Sequence, residues 1–396
     1  MLEQYRQAFD ALPGSLKTAA REAAMTRLLN LGLPTTDIEE WKYTDLATPL
    51  STLAIPAPLA HAIVDVVPQS LQFSDGFDAL NAAFAEDGLQ LIVPAGSVLT
   101  EPVEAGLHRA SVFGEAFTHR RNHIRLGANA SATILLRSQP QDIELKDGVR
   151  LSTLFTELEL EAGASATVIR VQDEPAQGIH VSRLNARLGR DARLNVVSVD
   201  LGGKLVRSDI NISLDAPGAA AQLHGLYAPA GSTHVDNHTR IEHRAPHCTS
   251  RENYRGIAGD SAHAVFNGMI VVHEGAKKTD SEQRVANLLL SPRAQVNAKP
   301  ELEIYNDDVK CAHGATFGQL DEDAVFYLRS RGLDHAAARS LLTYTFAYEV
   351  LAKISIEALR KDVQRKFLAR LPNGAALSAL LSLPPFTGEG QDGGAA

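Results

Sequence analysis

Two residues with metal-binding side chains stand two apart in the segment DVKCAHGATFGQLDEDAVFYLRSRG, which runs from Asp308 to Gly332: they are Cys311 and His313. A thiolate beside an imidazole suits zinc or iron. The segment begins like a strand, and in a strand successive side chains alternate faces. Val309, Cys311 and His313 then share one face, and Asp308, Lys310 and Ala312 the other. Lys310 would favour the thiolate by its charge. Two ligands do not close a tetrahedral site, so the rest must come from elsewhere in the fold, from a partner chain or from a bound cluster. Taken bare, Cys-x-His also describes a small buried thiol beside a turn histidine.

Other constellations carry less. His224, His234, His238, His243, His247, His263 and His273 crowd into 50 residues, with Cys248 beside His247. The group lacks His-Glu-x-x-His and paired Cys-x-x-Cys spacing, so strand faces and turns account for these histidines one by one. Gly203-Lys204 is followed by Leu205 where a phosphate loop needs Ser or Thr for magnesium, so no nucleotide site is expected. No Gly-x-Ser-x-Gly elbow is present. Asp307 and Asp308 are adjacent, face opposite ways in a strand and give no acid–base pair.

The chain that must position these groups has 396 residues, 44% apolar and 21% charged, with a formal net charge of -9. That length suits several domains or one elongated one. The acidic balance argues against nucleic acid as a partner. Two cysteines cannot form a disulfide framework and fit a reducing compartment. The N-terminal stretch MLEQYRQAFDALPG does not read as a signal peptide, and no window approaches the roughly 20 apolar residues of a membrane span. A cytoplasmic protein is expected.

The first part reads as helical. In SLKTAAREAAMTRLLNLGLP, Leu16, Ala19, Ala20, Ala23, Leu28 and Leu31 fall near one face, and Gly32 and Pro34 supply the stop. Trp41, the only tryptophan, reads as the anchor of a small helical domain. From about residue 85 the pattern changes to short alternating strands. A turn, then Ala, a polar residue and an apolar strand recur around Ala132, Ala166, Ala192, Ala221 and Ala294, with a further copy near Ala262. Repeats of strand and turn point to stacked coils, where small residues fit a shared corner. A sandwich or barrel gives similar alternation but no reason for the signature to recur. The end turns helical again: Asp321 and Asp334 are candidate caps, and Ser355 can open a third helix. Leu341, Tyr344, Tyr348 and Leu351 recur at helical spacing.

Several of these stretches resemble one family. KPELEIYNDDVKCAHGATFGQLDEDAVFYLRSRGL (299–333), EEWKYTDL (39–46), HRAPHCTSRENYRGI and AKKTDSEQRVANLLLS are similar to motifs of the SufD branch of the SufB/SufD family, from the SUF iron–sulfur cluster assembly system. The likeness spans roughly residues 1 to 370. The SufB branch usually carries Glu-His-Glu-Ala-Thr where this chain has Cys311-Ala312-His313-Gly314-Ala315-Thr316. SufD-branch members commonly have Ser where Ala312 stands.

The resemblance implies a mainly β fold: a right-handed parallel β-helix flanked by N-terminal and C-terminal α-helical domains. The expected division is an N-terminal helical domain (1–75), a β-helix core (76–320), a C-terminal helical domain (321–372) and a disordered tail (373–396). It further implies pairing with SufB through the β-helices, docking of the ATPase SufC on the C-terminal helices, a part in iron acquisition, and a homodimer where SufB is absent. Carried over position by position, Cys311 and His313 become candidate ligands for iron, or for a nascent iron–sulfur cluster, shared with SufB. The chain itself would be a non-catalytic subunit that binds no nucleotide. The alternative is a purely structural subunit that touches no metal. An unrelated β-helix enzyme acting on polysaccharide is disfavoured for want of a secretion signal and converging acidic residues.

Overall fold

Between residues 90 and 318 the sequence repeatedly places apolar side chains at every second position, and short strands result because such a pattern buries one face of each. The structure, a computed structural model, describes residues 1–51, 53, 74–106, 117–138 and 149–381. Strands are numbered along the chain. One sheet holds β1 (Gln90–Val93), β3 (Phe117–Leu126), β5 (Arg150–Leu160), β7 (Gly178–Leu188), β9 (Leu205–Leu214), β11 (His234–His243), β13 (His263–Val272) and β15 (Gln295–Ile304), in that spatial order. The other holds β2 (Val103–Ala105), β4 (Ser131–Ser138), β6 (Ser165–Gln172), β8 (Arg193–Asp200), β10 (Ala220–Tyr227), β12 (Thr249–Ala258), β14 (Asp280–Leu289) and β16 (Lys310–Gly318). Every pairing is parallel, and the chain passes from one sheet to the other in each coil. The fold is a parallel β-solenoid, as expected.

The corners explain the repeat. Gly96, Asn129, Gly163, Asp191, Gly218, His247 and Lys278 all have positive φ. Strand register stacks them coil upon coil, and main-chain bonds join them: Asn129 N–H donates to Ala162 O at 2.9 Å and His247 N–H to Lys277 O at 2.8 Å. From Asn129 on, the residue after each is small and closes the corner: Ala130, Ala164, Ala192, Ala219, Cys248 and Thr279 are all buried. The anchors read from the sequence therefore mix two columns. Ala132, Ala166 and Ala221 lie in register with Leu194 inside the strands, whereas Ala192 belongs to the corner. Ala262 and Ala294 occupy a corner of the other sheet. Cys248 stands where the preceding four coils place alanine.

The N-terminal helices do not form a core of their own. Residues 1–319 are one compact unit. α1 (Leu2–Asp10), α2 (Ala19–Leu31), α3 (Ala47–Leu50) and α4 (Gly76–Phe84) precede the solenoid. Tyr5, Phe9, Trp41, Phe77 and Phe84 pack with Phe117, Leu151, Phe155, Ile179 and Val181 from the outer face of the first coils. Trp41 is an anchor, but to the solenoid: it stacks on Phe77 at 5.5 Å, and the Arg207 guanidinium lies 4.3 Å from its ring. The buried stripe of α2 is Arg21, Ala24, Met25 and Leu28, not the alanine face expected. Arg21 sets it, because its guanidinium donates to the carbonyls of Ala83 and Ala85 at 3.2 and 2.5 Å.

The second unit, from Leu320 on, holds α5 (Glu322–Ser330), α6 (His335–Leu351), α7 (Glu357–Leu368) and α8 (Gly374–Leu381). Asp321 and Asp334 cap as expected, accepting from the main-chain N–H of Asp323 at 2.9 Å and Ala337 at 2.7 Å. Ser355 does not cap α7; Ile356 holds that position without a side-chain bond. On α6 the packed face runs through Ala338, Thr343, Tyr344, Ala347, Val350 and Leu351, while Tyr348 is exposed. Helix α8 falls inside the segment expected to be disordered, since GAALSALL is rich in strong helix formers. Residues 382–396 of that expected tail lie outside the described residues. No helix among the described residues is long and apolar enough to cross a membrane.

The corner column generates a test. Cys248→Ala should leave the thermal unfolding free energy within about 1 kcal/mol of the parent, and Cys248→Leu should lower it by about 1–3 kcal/mol through overpacking. Chemical denaturation of both variants checks this.

Candidate functional site

β16 is the last strand of its sheet and pairs only with β14 among the described residues, so its outer edge carries unpaired main-chain groups. In register, Cys311 lies on Ser281, His313 on Gln283, Ala315 on Val285 and Phe317 on Asn287. All four β14 partners are buried inward-facing side chains. Cys311 and His313 thus share the inward face of the final coil, as the strand reading required. His313 is exposed, Cys311 is half-buried, and Phe317 and Tyr305 are 53% and 59% exposed beside them. Cys311 packs against Ile270, Val272 and Ala276.

Burial raises the Cys311 thiol above its ordinary value, the Ser281 main-chain N–H pulls it back, and the Asp280 carboxylate adds to the rise. Lys310 was expected to favour the thiolate, but it projects from the opposite face, in register with Asp280. Among the described residues no three His, Cys, Asp or Glu side chains converge on a point that could hold a metal. Cys311 and His313 therefore offer two ligands and an open side.

The inward columns beneath them change character along the solenoid. Below His313 the column runs Ile134, Val168, Val196 and Leu223, then Glu252 and Gln283. Below Cys311 it runs Ala132, Ala166, Leu194 and Ala221, then Ser250 and Ser281. Glu252 is buried with no cation acting on it among the described residues, and desolvation pushes its carboxyl up to about 7, with the Gln283 amide and the Thr239 hydroxyl pulling the other way. Gln283 Nε2 donates to Glu252 Oε2 at 2.6 Å. The amide fits because Gly268 faces it: a Cβ there would lie 2.1 Å from Gln283 Nε2.

The crowded histidines separate into individual structural roles. His238 Nε2 lies 3.0 Å from Asp236, His263 Nε2 2.7 Å from Asn297 Oδ1, and His273 Nε2 3.3 Å from Glu242. His234 lies 2.9 Å from the Thr44 hydroxyl, and burial lowers its imidazole to about 4. His243 is buried against Ser250, and His247 turns a corner. Cys248 is buried, and desolvation raises its thiol. A groove of about 530 Å³ beside the N-terminal segment is lined by Trp41, Arg183, Arg207, Asp209, His238 and Lys299. Its arginines are already bound to carboxylates: Arg183 to Asp75 and Asp209, Arg207 to Asp209 and Asp236. It reads as the seam that holds the N-terminal segment to the solenoid.

The last coil of the parallel solenoid thus presents a thiol and an imidazole on one strand face. The profile described as SUF system FeS cluster assembly, SufBD core domain, matches residues 108–346. The chain belongs to that family and is an iron–sulfur cluster assembly protein of the SUF system. It is 28% identical to the iron–sulfur cluster assembly protein SufD of Escherichia coli K12, over 94% of this chain and 97% of that protein. It is 30% identical to an iron–sulfur cluster assembly SufBD family protein of Synechocystis, over 75% of this chain and 67% of the other. It is 28% identical to SufD of Bacillus subtilis, over 72% of this chain and 64% of that one. These matches favour the SufD branch.

Sequence reasoning missed Glu252, Gln283, Ser250 and Ser281. Their signal was present as polar residues at inward positions of the strands TSRENYRG and DSEQRVAN, but inward is defined only by register.

Glu252 gives a pH dependence. A carboxyl raised in the fold favours the protonated protein, so its penalty is absent below the ordinary carboxylate range and grows as pH rises toward about 7. Glu252→Gln should therefore gain up to about 3 kcal/mol of stability at pH 8, and the gain should vanish toward the acidic end. Urea denaturation of both proteins at pH 5 and pH 8 measures it.

Proposed function

We propose that this protein is the SufD-type subunit of a SUF complex, pairing with a SufB-type partner through the open end of the solenoid. The observation that carries the reading is the geometry of the last strand: Cys311 and His313 project together, His313 is exposed, and no third ligand from the described residues joins them. A cluster usually takes about four protein ligands, so a chain offering two acts with another. Iron or the nascent cluster is then cargo held between the two chains, with His313 and Cys311 as this chain's contribution to iron acquisition. The exposed main-chain edge of β16 and the apolar Phe317, Ile304 and Tyr305 supply a surface for a second solenoid, or for a second copy of this chain when the partner is absent.

The C-terminal helices, residues 321–372, are the dock for the ATPase SufC. Phe326 and Tyr327 on α5 are 71% and 56% exposed, an apolar pair that favours a protein partner. ATP hydrolysis belongs to SufC; this chain has no phosphate loop and serves as a non-catalytic subunit in the cytoplasm. Two free cysteines in a chain without disulfides are in keeping with a reducing compartment.

His313→Ala in the co-expressed complex should leave assembly of the subunits intact and reduce cluster formation at least tenfold, with Cys311→Ser weaker in effect; iron and sulfide analysis of the purified complex measures both. Parental cluster yield in the double variant would make the subunit purely structural. Ending the chain after Gln319 should abolish co-purification of SufC while SufB pairing persists; retained SufC would refute the helical dock.

A further inference from the structure

Both inward columns beneath the candidate site turn from apolar to polar at the same strand, β12, and each ends on one of the two site residues. Packing supplies no reason for this. Hydrocarbon at Glu252 or Gln283 would fill the same space without desolvating a carboxyl and an amide, and groups that work against stability at one place mark function.

We propose that Ser281 and Gln283, two apart on β14, are positioning residues for Cys311 and His313, each fixed from behind by its own buried hydrogen-bond chain. The inference rests on the site proposed above and deepens it.

The first chain begins at His243. Its Nε2 lies 2.9 Å from Ser250 Oγ, and Ser250 Oγ lies 2.6 Å from Ser281 Oγ. Burial lowers the His243 imidazole to about 4, so the ring is neutral, and because Nδ1 is buried with no hydrogen-bond partner among the described residues the proton belongs on Nε2, which donates to Ser250. With that end set, Ser250 donates to Ser281, and the Ser281 hydroxyl is left to donate toward its register neighbour Cys311 on the next strand. A hydroxyl donor to the sulfur holds its orientation and would tune a thiolate bound to iron.

The second chain begins at Glu252, which accepts from Gln283 Nε2. That bond turns the amide oxygen Oε1 away from the carboxylate. Oε1 is buried and has no hydrogen-bond partner among the described residues. Gln283 is the register partner of His313, their backbones one strand spacing of about 4.8 Å apart. The exposed His313 ring reaches Oε1 by a rotamer change and donates one N–H to it. The other ring nitrogen is left facing the open end, free to bind iron.

The test uses the full-length chain carrying Cys248→Ala, so that Cys311 is the sole thiol. Alkylation of Cys311 by iodoacetamide at pH 7 should slow by about threefold to tenfold in Ser281→Ala, the worth of one hydrogen bond. Ser281→Thr should keep the parental rate. His243→Leu should slow alkylation as well, although it lies two hydroxyls away; should that variant unfold, Ser250→Ala interrupts the same chain. For the second residue, nitrogen NMR of histidine-labelled protein, with the His313 signals assigned by their loss in His313→Ala, should show one dominant ring tautomer. Gln283→Leu should return it to the mixture of a free imidazole. Unchanged alkylation in Ser281→Ala and His243→Leu, with an unchanged His313 ring in Gln283→Leu, overturns the inference while leaving the cluster assay of His313→Ala to judge the site itself. Loss of both signatures in variants whose circular dichroism matches the parent supports it.

Discussion

In-register parallel stacking governs this molecule. Each strand gives its main-chain donors and acceptors to the coil before and the coil after, so the backbone is satisfied only if every coil repeats the same path. Repetition of the path forces repetition of direction: a residue that faces inward in one coil faces inward in all. The solenoid interior is therefore a set of columns, and the chemistry of the protein is written along them. Corner residues with positive φ and the small residues that follow keep the columns aligned.

The same stacking that stabilises the middle leaves the end unsatisfied. Among the described residues β15 and β16 have a pairing partner on one side only, and inward positions of the last coil are covered by strands from one direction. This is why His313 can be inward-facing and exposed at once. The exposure of this inward-facing pair arises because the repeat stops. The family to which the chain belongs serves iron–sulfur cluster assembly, and at this edge one thiol and one imidazole stand on the same strand face. The polar columns behind them cost stability in a core that is otherwise closely packed, and they are confined to the coils next to the end.

The N-terminal helices show a different use of the solenoid. They lie on the outer face of the first coils, which are consequently buried on both sides, and an arginine–carboxylate seam through Arg183 and Arg207 ties the segment around Trp41 to the strands. A sequence can announce helices without announcing that their hydrophobic core is completed by strands more than a hundred residues away. The error at α2 has the same origin. Alanine-rich periodicity suggested one face, but the buried stripe was chosen by Arg21, whose partners are carbonyl groups at the end of α4.

Much was determined by the sequence alone: the alternation that makes strands, the turn-and-small-residue signature that makes coils, the capping aspartates of α5 and α6, and the alternation that puts Cys311 and His313 on one face. These depend on neighbours within a few residues, and local chemistry decides them. What only the tertiary structure decided were relations between coils. Register assigned Cys248 to an alanine corner and gave His238, His243, His263 and His273 hydrogen-bond partners within the solenoid. It also brought Ser281 and Gln283 beneath the site residues from strands some thirty positions earlier. Hydrogen bonding between successive coils sets that register, and no local pattern encodes which residue of one coil will lie above which residue of the last.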